Sequence, residues 1–445
     1  MVICKFGGTS VRDNIWIDKS LAITVNQIDD APVMVASAMA KVTDKLQEIA
    51  LFSARGKKED ANQKFEEIKS HHITVANSFL KGINLEKCLA DLETLFSELK
   101  SIIKGLLLLR ECSDRSNDAI LAFGERLSTT VIYYRALERG INAILLDARE
   151  FIKTDNHFRS ASLLTELSYG LINKAVCPEK GKLFITQGFI GSTEEGITST
   201  LGRGGSDYTA AIIGAALNVQ EIQIWTDVDG IMTSDPRIVE KAVTIPVISY
   251  QEAAELAYFG AKVIHPSTIQ PATSNGIPVI VKNTGKPDFM GTRIVSEKSS
   301  AGPKAIAFKR GISVINISSY RMLLAYGFLR KIFDIFEKYK TPVDLIATSE
   351  VSVSITIDNQ EFIKQITGEL KNIASVNVVP DNCIVSIVGQ DLWKNSSFIS
   401  QVFVILKSIP VRMISMGASD SNFSFVLPEV DTEKAVKDLH AEFFK

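Results

Sequence analysis

The sequence predicts an α/β domain with a largely parallel sheet and helices on both faces, followed by two small α+β domains. Up to about residue 295, short apolar runs alternate with segments of helical periodicity, which is typical of parallel β-α-β units. A polar, turn-rich stretch follows at 297–303. After it, a shorter order of strands and helices occurs twice. The repetition favours a tandem pair of small domains over the alternative, one irregular α+β domain.

The elements of the first part follow from local patterns. Apolar runs predict strands at 2–6, 32–36, 141–146, 182–186, 221–225 and 277–281. Residues 59–104 have helical periodicity with one weak break at 81–84, which predicts a helical hairpin. Ser249 and Glu252 have the spacing of a capping box that opens a helix.

The two units of the second part are predicted in the same way. The first has strands at 312–317, 343–346, 351–357 and up to 379, with helices at 329–339 and 360–372. The second has strands at 383–388, 411–415 and 423–427, with helices at 398–408 and 432–444.

Composition excludes several classes of protein. The 445 residues are 46% hydrophobic and carry a net charge of −2, so no basic excess indicates a nucleic-acid binder. The sequence begins without the pattern of a signal peptide, and no apolar run reaches the ~18 residues that span a bilayer. The five cysteines are scattered, without metal-type spacing. This predicts reduced thiols in a cytoplasmic protein and no metal ligands.

The first glycine cluster, Gly7 and Gly8, follows the first predicted strand and precedes a helical pattern that begins at Val11. Adjacent glycines let backbone N–H groups approach a phosphate, and a helix N-terminus favours an anion. Lys5 adds a positive charge at the end of the strand. Alone this pattern is weak, because a strand followed by two glycines is commonly only a structural turn.

The second cluster places three glycines around Arg203 within residues 202–205. Each glycine costs backbone entropy, so a loop that holds a ligand explains them better than packing does. Arginine is the residue type that grips a carboxylate through two parallel hydrogen bonds. The structural alternative is a helix N-terminus capped by Ser206 or Asp207, which does not explain Arg203.

Two further segments add polar groups. Residues 225–237 begin at the carboxyl end of a predicted strand, where α/β sheets bind ligands, but their acidic residues are also ordinary turn formers. Lys262 follows Gly260, and His265 precedes a proline and is interpreted as structural. The fingerprints of P-loop enzymes and of Rossmann nicotinamide sites do not occur.

Six segments follow the order seen in aspartokinases, which belong to the amino-acid kinase superfamily. They are 5–11, 123–128, 187–191, 202–207, 226–237 and 260–266. Residues 320–352 also resemble the regulatory region of lysine-sensitive, monofunctional aspartokinases. The resemblance implies an amino-acid kinase domain at 1–296 and ACT-like, ferredoxin-like regulatory domains at 304–381 and 382–445. It further implies transfer of the ATP γ-phosphate to the side-chain carboxylate of L-aspartate.

The resemblance also implies roles for individual residues. Lys5, Gly7 and Gly8 would hold the transferred phosphate, Asp207 would orient Lys5, and Lys262 would lie near the β- and γ-phosphates. The implied aspartate contacts are Ser37, Thr43, Glu125 for the ammonium group, Phe189, and Arg203 for the α-carboxylate. The other implied ATP contacts are Thr226, Asp227, Arg237 and Met232, which replaces a tyrosine usual in the lysine-sensitive enzymes. Because a carboxylate is ionised at pH 7, no general base is needed, and Mg²⁺ is expected to bind mainly through phosphates.

A cationic effector site is implied in the second part. Its residues would be Met322, Ala325, Phe328, Leu329, Val343, Asp344, Ser349 and Glu350, with lysine as the expected effector. Taken singly, Asp344 and Glu350 are interpreted more simply as a helix cap and a solvated loop charge. Ala325 and Pro342 replace serines expected there. In this family the first ACT domain is inserted into the second, which predicts that a strand at 305–308 pairs with the C-terminal unit.

The sequence thus predicts a cytoplasmic aspartate kinase that forms a homodimer or homotetramer through its ACT-like domains. A non-catalytic amino-acid sensor is the alternative from another class, and the presence of five charged residues expected in the catalytic site speaks against it. These residues are Lys5, Glu125, Arg203, Asp207 and Lys262. Glutamate, acetylglutamate, carbamate and nucleoside-monophosphate kinases share the phosphate loop, but they are not expected to combine the Glu125 segment with tandem sensing units.

Overall fold

The computed structural model describes residues 1–177, 179–260, 264, 266–297, 300–322, 326–417 and 419–444. By internal packing the chain divides into two units. The first comprises Met1–Ile231 and Val263–Ser296, and the second Met232–Lys262 and Glu297–Lys445. The change of unit at Glu297 lies next to the predicted domain end at 296. Residues 232–262, which were predicted with the kinase domain, pack instead with the second unit.

The first unit is built on a largely parallel sheet, as predicted. Its strands are β1 (Val2–Phe6), β2 (Val33–Ala36), β3 (Ala143–Leu146), β4 (Leu183–Gln187), β7 (Glu221–Thr226), β9 (Val279–Asn283) and β10 (Thr292–Val295). Their order is β3-β4-β2-β1-β7-β9-β10. Among these seven strands, β10 pairs antiparallel with β9, and all the other neighbouring pairs are parallel. The sequence did not predict β10 or the separate hairpin of β5 (Ile190–Ser192) and β6 (Thr198–Thr200).

Helices cover both faces of this sheet. They are α1 (Asn14–Val25), α2 (Val42–Ala54), α3 (Lys58–Phe79), α4 (Gly82–Leu109), α5 (Asp114–Leu121), α6 (Phe123–Glu138), α7 (Ala148–Phe151), α8 (Thr165–Ala175), α9 (Gly205–Ala216) and α11 (Gln270–Ser274). Val2, Cys4 and Phe6 alternate along β1 into the core formed with α1 to α6. The opposite face packs on α9. The predicted helical hairpin is confirmed as α3 and α4. A short 3₁₀ turn at Gly8–Val11 precedes α1, which begins at Asn14 rather than at the predicted Val11.

The second unit contains a six-stranded antiparallel sheet. Its elements are β8 (Val247–Ser249), α10 (Tyr250–Tyr258), β11 (Gly302–Ser318), α12 (Phe328–Lys338), β12 (Ile346–Thr348), β13 (Ser352–Ile357), α13 (Ile363–Leu370), β14 (Ser375–Gln390), α14 (Ser396–Ile405), β15 (Met413–Met416), β16 (Asn422–Pro428) and α15 (Thr432–Phe443). The sheet order is β12-β13-β11-β14-β16-β15. The predicted capping box of Ser249 and Glu252 opens α10.

Two hydrophobic cores divide the second unit into lobes. Lobe A, residues 312–379, packs α12 and α13 on its strands. Lobe B, residues 302–309 with 382–444, packs α14 and α15 on its strands and also buries Val239. The long strands β11 and β14 run through both lobes.

This arrangement changes two predicted strands. Residues Ala305–Phe308 pair with Val385–Val388, so the pairing expected from an inserted ACT domain is confirmed, and 304–309 pack in lobe B rather than in the first regulatory domain. The predicted strand at 343–346 is wrong, because β12 begins only at Ile346. The amide of Leu345 donates to the Thr356 hydroxyl at 2.7 Å, which interrupts the regular main-chain ladder.

None of the described helices is both long and apolar enough to cross a membrane.

Candidate active site

A cavity of about 390 Å³ opens in the first unit at the carboxyl ends of β1 and β2. Its walls are Lys5 and Gly8, residues 37–41 with Thr43 and Asp44, Glu125, Phe189, and the loop 202–207. The volume is in the range of small-molecule sites, and the carboxyl edge of a parallel sheet is where α/β folds bind ligands. The structure therefore brings together predicted phosphate-loop and aspartate-contacting residues that come from five separate segments.

Two of the lining residues of this cavity form an ion pair. The Nζ of Lys5, the fifth residue of the chain, lies 2.7 Å from Oδ1 of Asp207 in the first turn of α9, and both side chains are almost buried. Lys5 is directed to the α9 side because alternate residues of β1 face opposite sides of the sheet. The pair fixes the ammonium group beside the glycine loop, as the predicted orienting role of Asp207 requires.

Gly8 is needed for a close backbone approach. A Cβ at this position would lie 2.9 Å from the carbonyl oxygen of Ala38. Gly7 donates its N–H to the carbonyl oxygen of Trp225 at 3.1 Å. The loop is thus held between the end of β7 and residues 37–41, and no side chain at Gly8 shields its backbone N–H from a phosphate.

The loop 202–207 uses its glycines for left-handed backbone. Gly202 and Gly204 have φ values of 74° and 71°, and Gly204 is the N-cap of α9 without a side-chain cap. The capping alternative for Ser206 and Asp207 is therefore wrong. Asp207 reaches Lys5, and the Ser206 hydroxyl accepts a hydrogen bond from Ser37 at 3.0 Å.

Phe189 and Arg203 form the outer part of the cavity. Phe189 has a positive φ of 69°, a strained conformation for a non-glycine residue that proteins keep mostly at functional positions. Its ring packs on Gly205, where a Cβ would lie 2.7 Å from Cδ2. Arg203 is exposed at the tip of its loop, so its guanidinium is accessible to an anionic ligand.

Glu125 is the least compensated charge in the cavity. Glu125 is 3% exposed, and its Oε1 accepts one hydrogen bond, from the Ala38 N–H at 3.1 Å. Oε2 is buried and has no hydrogen-bond partner among the described residues. Burial raises the pKa of Glu125 to about 8, although the Ala38 N–H and the Lys5 charge act in the opposite direction. A ligand with an ammonium group would supply the missing partner.

The predicted ATP contacts fall in both units. In the first unit, Thr226 ends β7, and its hydroxyl lies 3.1 Å from Oδ1 of Asp227. In the second unit, Arg237 makes an exposed ion pair with Asp235 at 2.6 Å, and Met232 bridges to Thr244. Lys262 and His265 lie outside the described residues.

The predicted effector residues lie in the second unit, and Asp344 differs from expectation. It is neither a helix cap nor open to a ligand on all sides. Its side chain is 3% exposed, and Oδ1 lies 2.6 Å from Nζ of Lys309. Of the other predicted effector residues, Leu329, Ser349 and Glu350 are exposed, Val343 and Phe328 are partly buried, Met322 ends a 3₁₀ turn, and Ala325 lies outside the described residues.

Sequence reasoning missed several neighbours of these residues. Ser206 was considered only as a cap, and Lys41 and Asp44 of the cavity wall were not predicted. Lys41 and Asp44 lie shortly after β2, and this position is the signal that indicates them, because residues after parallel strands meet at one edge of the sheet. No local pattern relates Lys309 to Asp344.

Comparison with known proteins identifies the family. A sequence model of the amino acid kinase family matches residues 1–283, and an ACT domain model matches 385–443. The chain is 34% identical to lysine-sensitive aspartokinase 3 of Escherichia coli over 100% of this chain and 99% of that protein. The chain belongs to the aspartokinases of the amino acid kinase family.

Two further similarities agree with this membership. Chloroplastic aspartokinase 1 of Arabidopsis thaliana is 37% identical, with 100% of this chain and 80% of that protein covered. The structure of E. coli aspartokinase III in complex with aspartate and ADP, called its R-state, superposes with a TM-score of 0.86 at 33% identity and covers 100% of both chains. An aspartokinase fold therefore accounts for the parallel sheet, the glycine loops and the two-lobed second unit.

Proposed function

We propose that this aspartokinase transfers the γ-phosphate of ATP to the side-chain carboxylate of L-aspartate in the cavity of the first unit, giving 4-phospho-L-aspartate. The observation that carries the proposal is the order of charges along the cavity. A buried lysine lies beside a glycine loop, a buried carboxylate lacks a partner, and an arginine lies at the rim. This order matches a phosphate, an ammonium group and a carboxylate, respectively.

In the proposed mechanism, Glu125 binds the ammonium group of aspartate and Arg203 its α-carboxylate. Ser37, Thr43 and Phe189 position the side-chain carboxylate. That carboxylate is already ionised, so catalysis consists of bringing two anions together and neutralising their charge. Lys5, held by Asp207, and the N–H group of Gly8 stabilise the transferred phosphate, whereas Gly7, whose N–H donates to Trp225, fixes the loop beside it.

The nucleotide roles rest on the family. Thr226, Asp227, Met232, Arg237 and Lys262 would contact ATP, with Lys262 near the β- and γ-phosphates. Mg²⁺ would neutralise phosphate charge. It would be bound mainly through phosphate oxygens and water rather than by a protein cage.

Feedback inhibition by lysine is proposed for the second unit, because the relative at 34% identity is lysine-sensitive. The contacts would be Met322, Ala325, Phe328, Leu329, Val343, Asp344, Ser349 and Glu350. Lysine would have to bind one conformational state more tightly than another to inhibit. Asp344 supports a cationic ligand, since its Oδ2 has no hydrogen-bond partner among the described residues.

Assembly and location are proposed from exposed apolar side chains and from the cysteines. Lobe A exposes the apolar side chains of Leu329 and Ile346, which an interface between subunits would bury. They support a homodimer or homotetramer formed through the lobes. All five cysteines are described and free, which supports a reducing, cytoplasmic location.

Trapping the acyl phosphate with hydroxylamine tests the activity. With MgATP, aspartate and hydroxylamine, the purified protein is expected to form aspartyl hydroxamate, and lysine is expected to suppress it. Hydroxamate that lysine does not affect would retain the kinase and reject the effector. No hydroxamate with any acidic amino acid would favour the non-catalytic sensor.

A further inference from the structure

The C-terminal end of α10 is tied to the predicted effector carboxylate. Tyr258, the last residue of α10, donates its hydroxyl hydrogen bond to Oδ1 of Asp344 at 3.1 Å. The same oxygen accepts from Nζ of Lys309 at 2.6 Å, and this ammonium group lies 5.1 Å from the centre of the Tyr258 ring. A phenol, a lysine and a carboxylate therefore form one contact group, in which the ring also supports the lysine.

The carboxylates of this contact group outnumber its cations, so the Tyr258 phenol is needed as a further hydrogen-bond donor. Lys309 also pairs with Asp358 at 2.7 Å, so a single cation serves two carboxylates. The side chain of Asp344 is nearly inaccessible, and burial raises its pKa despite Lys309. The pKa of Tyr258 is raised by burial and by Asp344, so the phenol keeps its proton and supplies the additional hydrogen bond.

The backbone at Gly260 lies close against β11. Gly260 has a φ of 123°, and a Cβ there would lie 2.5 Å from the carbonyl oxygen of Phe308, the residue before Lys309. The stretch from Tyr258 to Gly260 is thus pressed against β11. Two residues later comes Lys262, the lysine that the proposed function places near the β- and γ-phosphates.

We infer that Tyr258 is a positioning residue for ATP binding, which links the Asp344 carboxylate to the segment that carries Lys262. The hydrogen bond from the Tyr258 hydroxyl holds the end of α10 on lobe A. It thereby fixes the position at which the segment that carries Lys262 begins. An effector that draws Asp344 away from Tyr258 would then weaken ATP binding without touching the aspartate cavity. The inference rests on the proposed function, because it takes the nucleotide role of Lys262 from it.

Substitution Tyr258→Phe isolates the hydroxyl. It keeps the aromatic ring beside Lys309, and Tyr258 is 46% exposed, so the fold should tolerate it. Tyr339→Phe is a matched control within lobe A. There a tyrosine hydroxyl donates to Glu369, which also pairs with Lys338, so the same three chemical groups meet without contact to α10.

The measurements are calorimetric titration with MgADP and steady-state kinetics with both substrates varied. Tyr258→Phe is expected to raise the MgADP Kd and the ATP KM about 3- to 10-fold, the effect of losing one hydrogen bond of typical net strength. The aspartate KM should change less than about twofold, and Tyr339→Phe should resemble wild type. A merely structural role would instead lower Tm and affect both substrates equally. That result, or equal Kd values in all three proteins, would overturn the inference.

MgADP binding separates this inference from the proposed function, because it needs no turnover. Wild-type protein that forms no hydroxamate, but whose MgADP affinity falls in Tyr258→Phe, would support the positioning role and reject the kinase activity. An active wild type with unchanged MgADP affinity in Tyr258→Phe would support the kinase activity and reject the positioning role. Wild-type protein that does not bind MgADP would overturn both. Where lysine inhibits wild type, weaker inhibition of Tyr258→Phe supports the link to Asp344, and identical inhibition curves contradict it.

Discussion

Glu125 in the first unit and Asp344 in the second are both buried carboxylates at predicted ligand sites, but their charges are compensated differently. Glu125 receives one backbone N–H and leaves Oε2 without a partner among the described residues. Asp344 has a lysine and a phenol on one oxygen. The pKa of each is raised by burial, yet only Asp344 has an internal cation in contact.

The difference indicates how each site would gain binding energy. At Glu125, a ligand ammonium supplies a charge that the fold withholds, so binding favours the ionised carboxylate over the protonated form that burial stabilises. At Asp344, a cationic effector has to share the carboxylate with Lys309 or displace it. The substrate site is therefore expected to be selective for an ammonium group. The effector site is expected to depend on further contacts, with the exposed Glu350 a candidate.

The largest expected effect concerns the one cation that the first-unit cavity buries. Lys5→Ala should lower kcat about 10²- to 10³-fold, the usual result of removing a preorganised group that stabilises transition-state charge. The aspartate KM should change much less, because the proposed contact of Lys5 is the transferred phosphate. Steady-state kinetics with both substrates varied would measure the two effects.

Lys41→Ala is the control for Lys5, since it removes a second lysine from the wall of the same cavity. It should reduce kcat far less. Equal losses in the two variants would show that the general positive charge of the cavity matters, rather than the position of Lys5 beside the glycine loop. A Lys5→Ala effect mainly on the aspartate KM would contradict the proposed role.

Glu125→Gln tests the uncompensated carboxylate directly. Losing a charged partner for the ammonium group should cost about 1.5–3 kcal/mol, which raises the aspartate KM roughly 10- to 150-fold. Succinate, which lacks the ammonium group, provides the control. Wild type should prefer aspartate over succinate strongly, and the variant should lose most of that preference. An unchanged preference would mean that another group binds the ammonium.

The fold was predictable where local patterns specify it. The strand β1 follows from an apolar run, and the hairpin of α3 and α4 follows from helical periodicity. The long strands β11 and β14 were not predicted, because each serves two lobes and carries a left-handed residue between them. Gly311 and Asp381 have φ values of 72° and 58°, and such residues in a sequence indicate a turn rather than a continuing strand.

The site was predictable to a different degree. Lys5 and Arg203 follow from glycine-loop chemistry, whereas the roles of Glu125 and Ser37 came only from family resemblance. The contact between Lys309 and Asp344 was not predictable at all. The two residues are 35 positions apart, and only the pairing of β11 with β13 and the path of 343–345 beside β13 bring them together.

The smallest predicted effect is a pH dependence, which separates Glu125 from Asp344 without changing any other residue. With its pKa near 8, Glu125 of the free protein is protonated at pH 7, whereas an ammonium ligand requires the ionised form. Aspartate binding should therefore release a proton, and the aspartate Kd should rise about tenfold for each pH unit below 8. Calorimetry between pH 6.5 and 8.5 would measure it, and Glu125→Gln should abolish the slope.

Protein stability should also depend on the protonation of Glu125. Folding favours the protonated carboxyl group, whereas aspartate binding favours the ionised one. The folded protein holds a proton on Glu125 between the ordinary pKa of 4.5 and about 8, and the unfolded chain does not. The contribution of Glu125 to the free energy of unfolding is therefore present below pH 4.5 and is lost as the pH rises through 8. In denaturant titrations across this window, wild type should lose stability relative to Glu125→Gln. Parallel pH profiles for the two proteins would show that Glu125 is ionised in the free protein, and that its charge is compensated after all, as that of Asp344 is by Lys309.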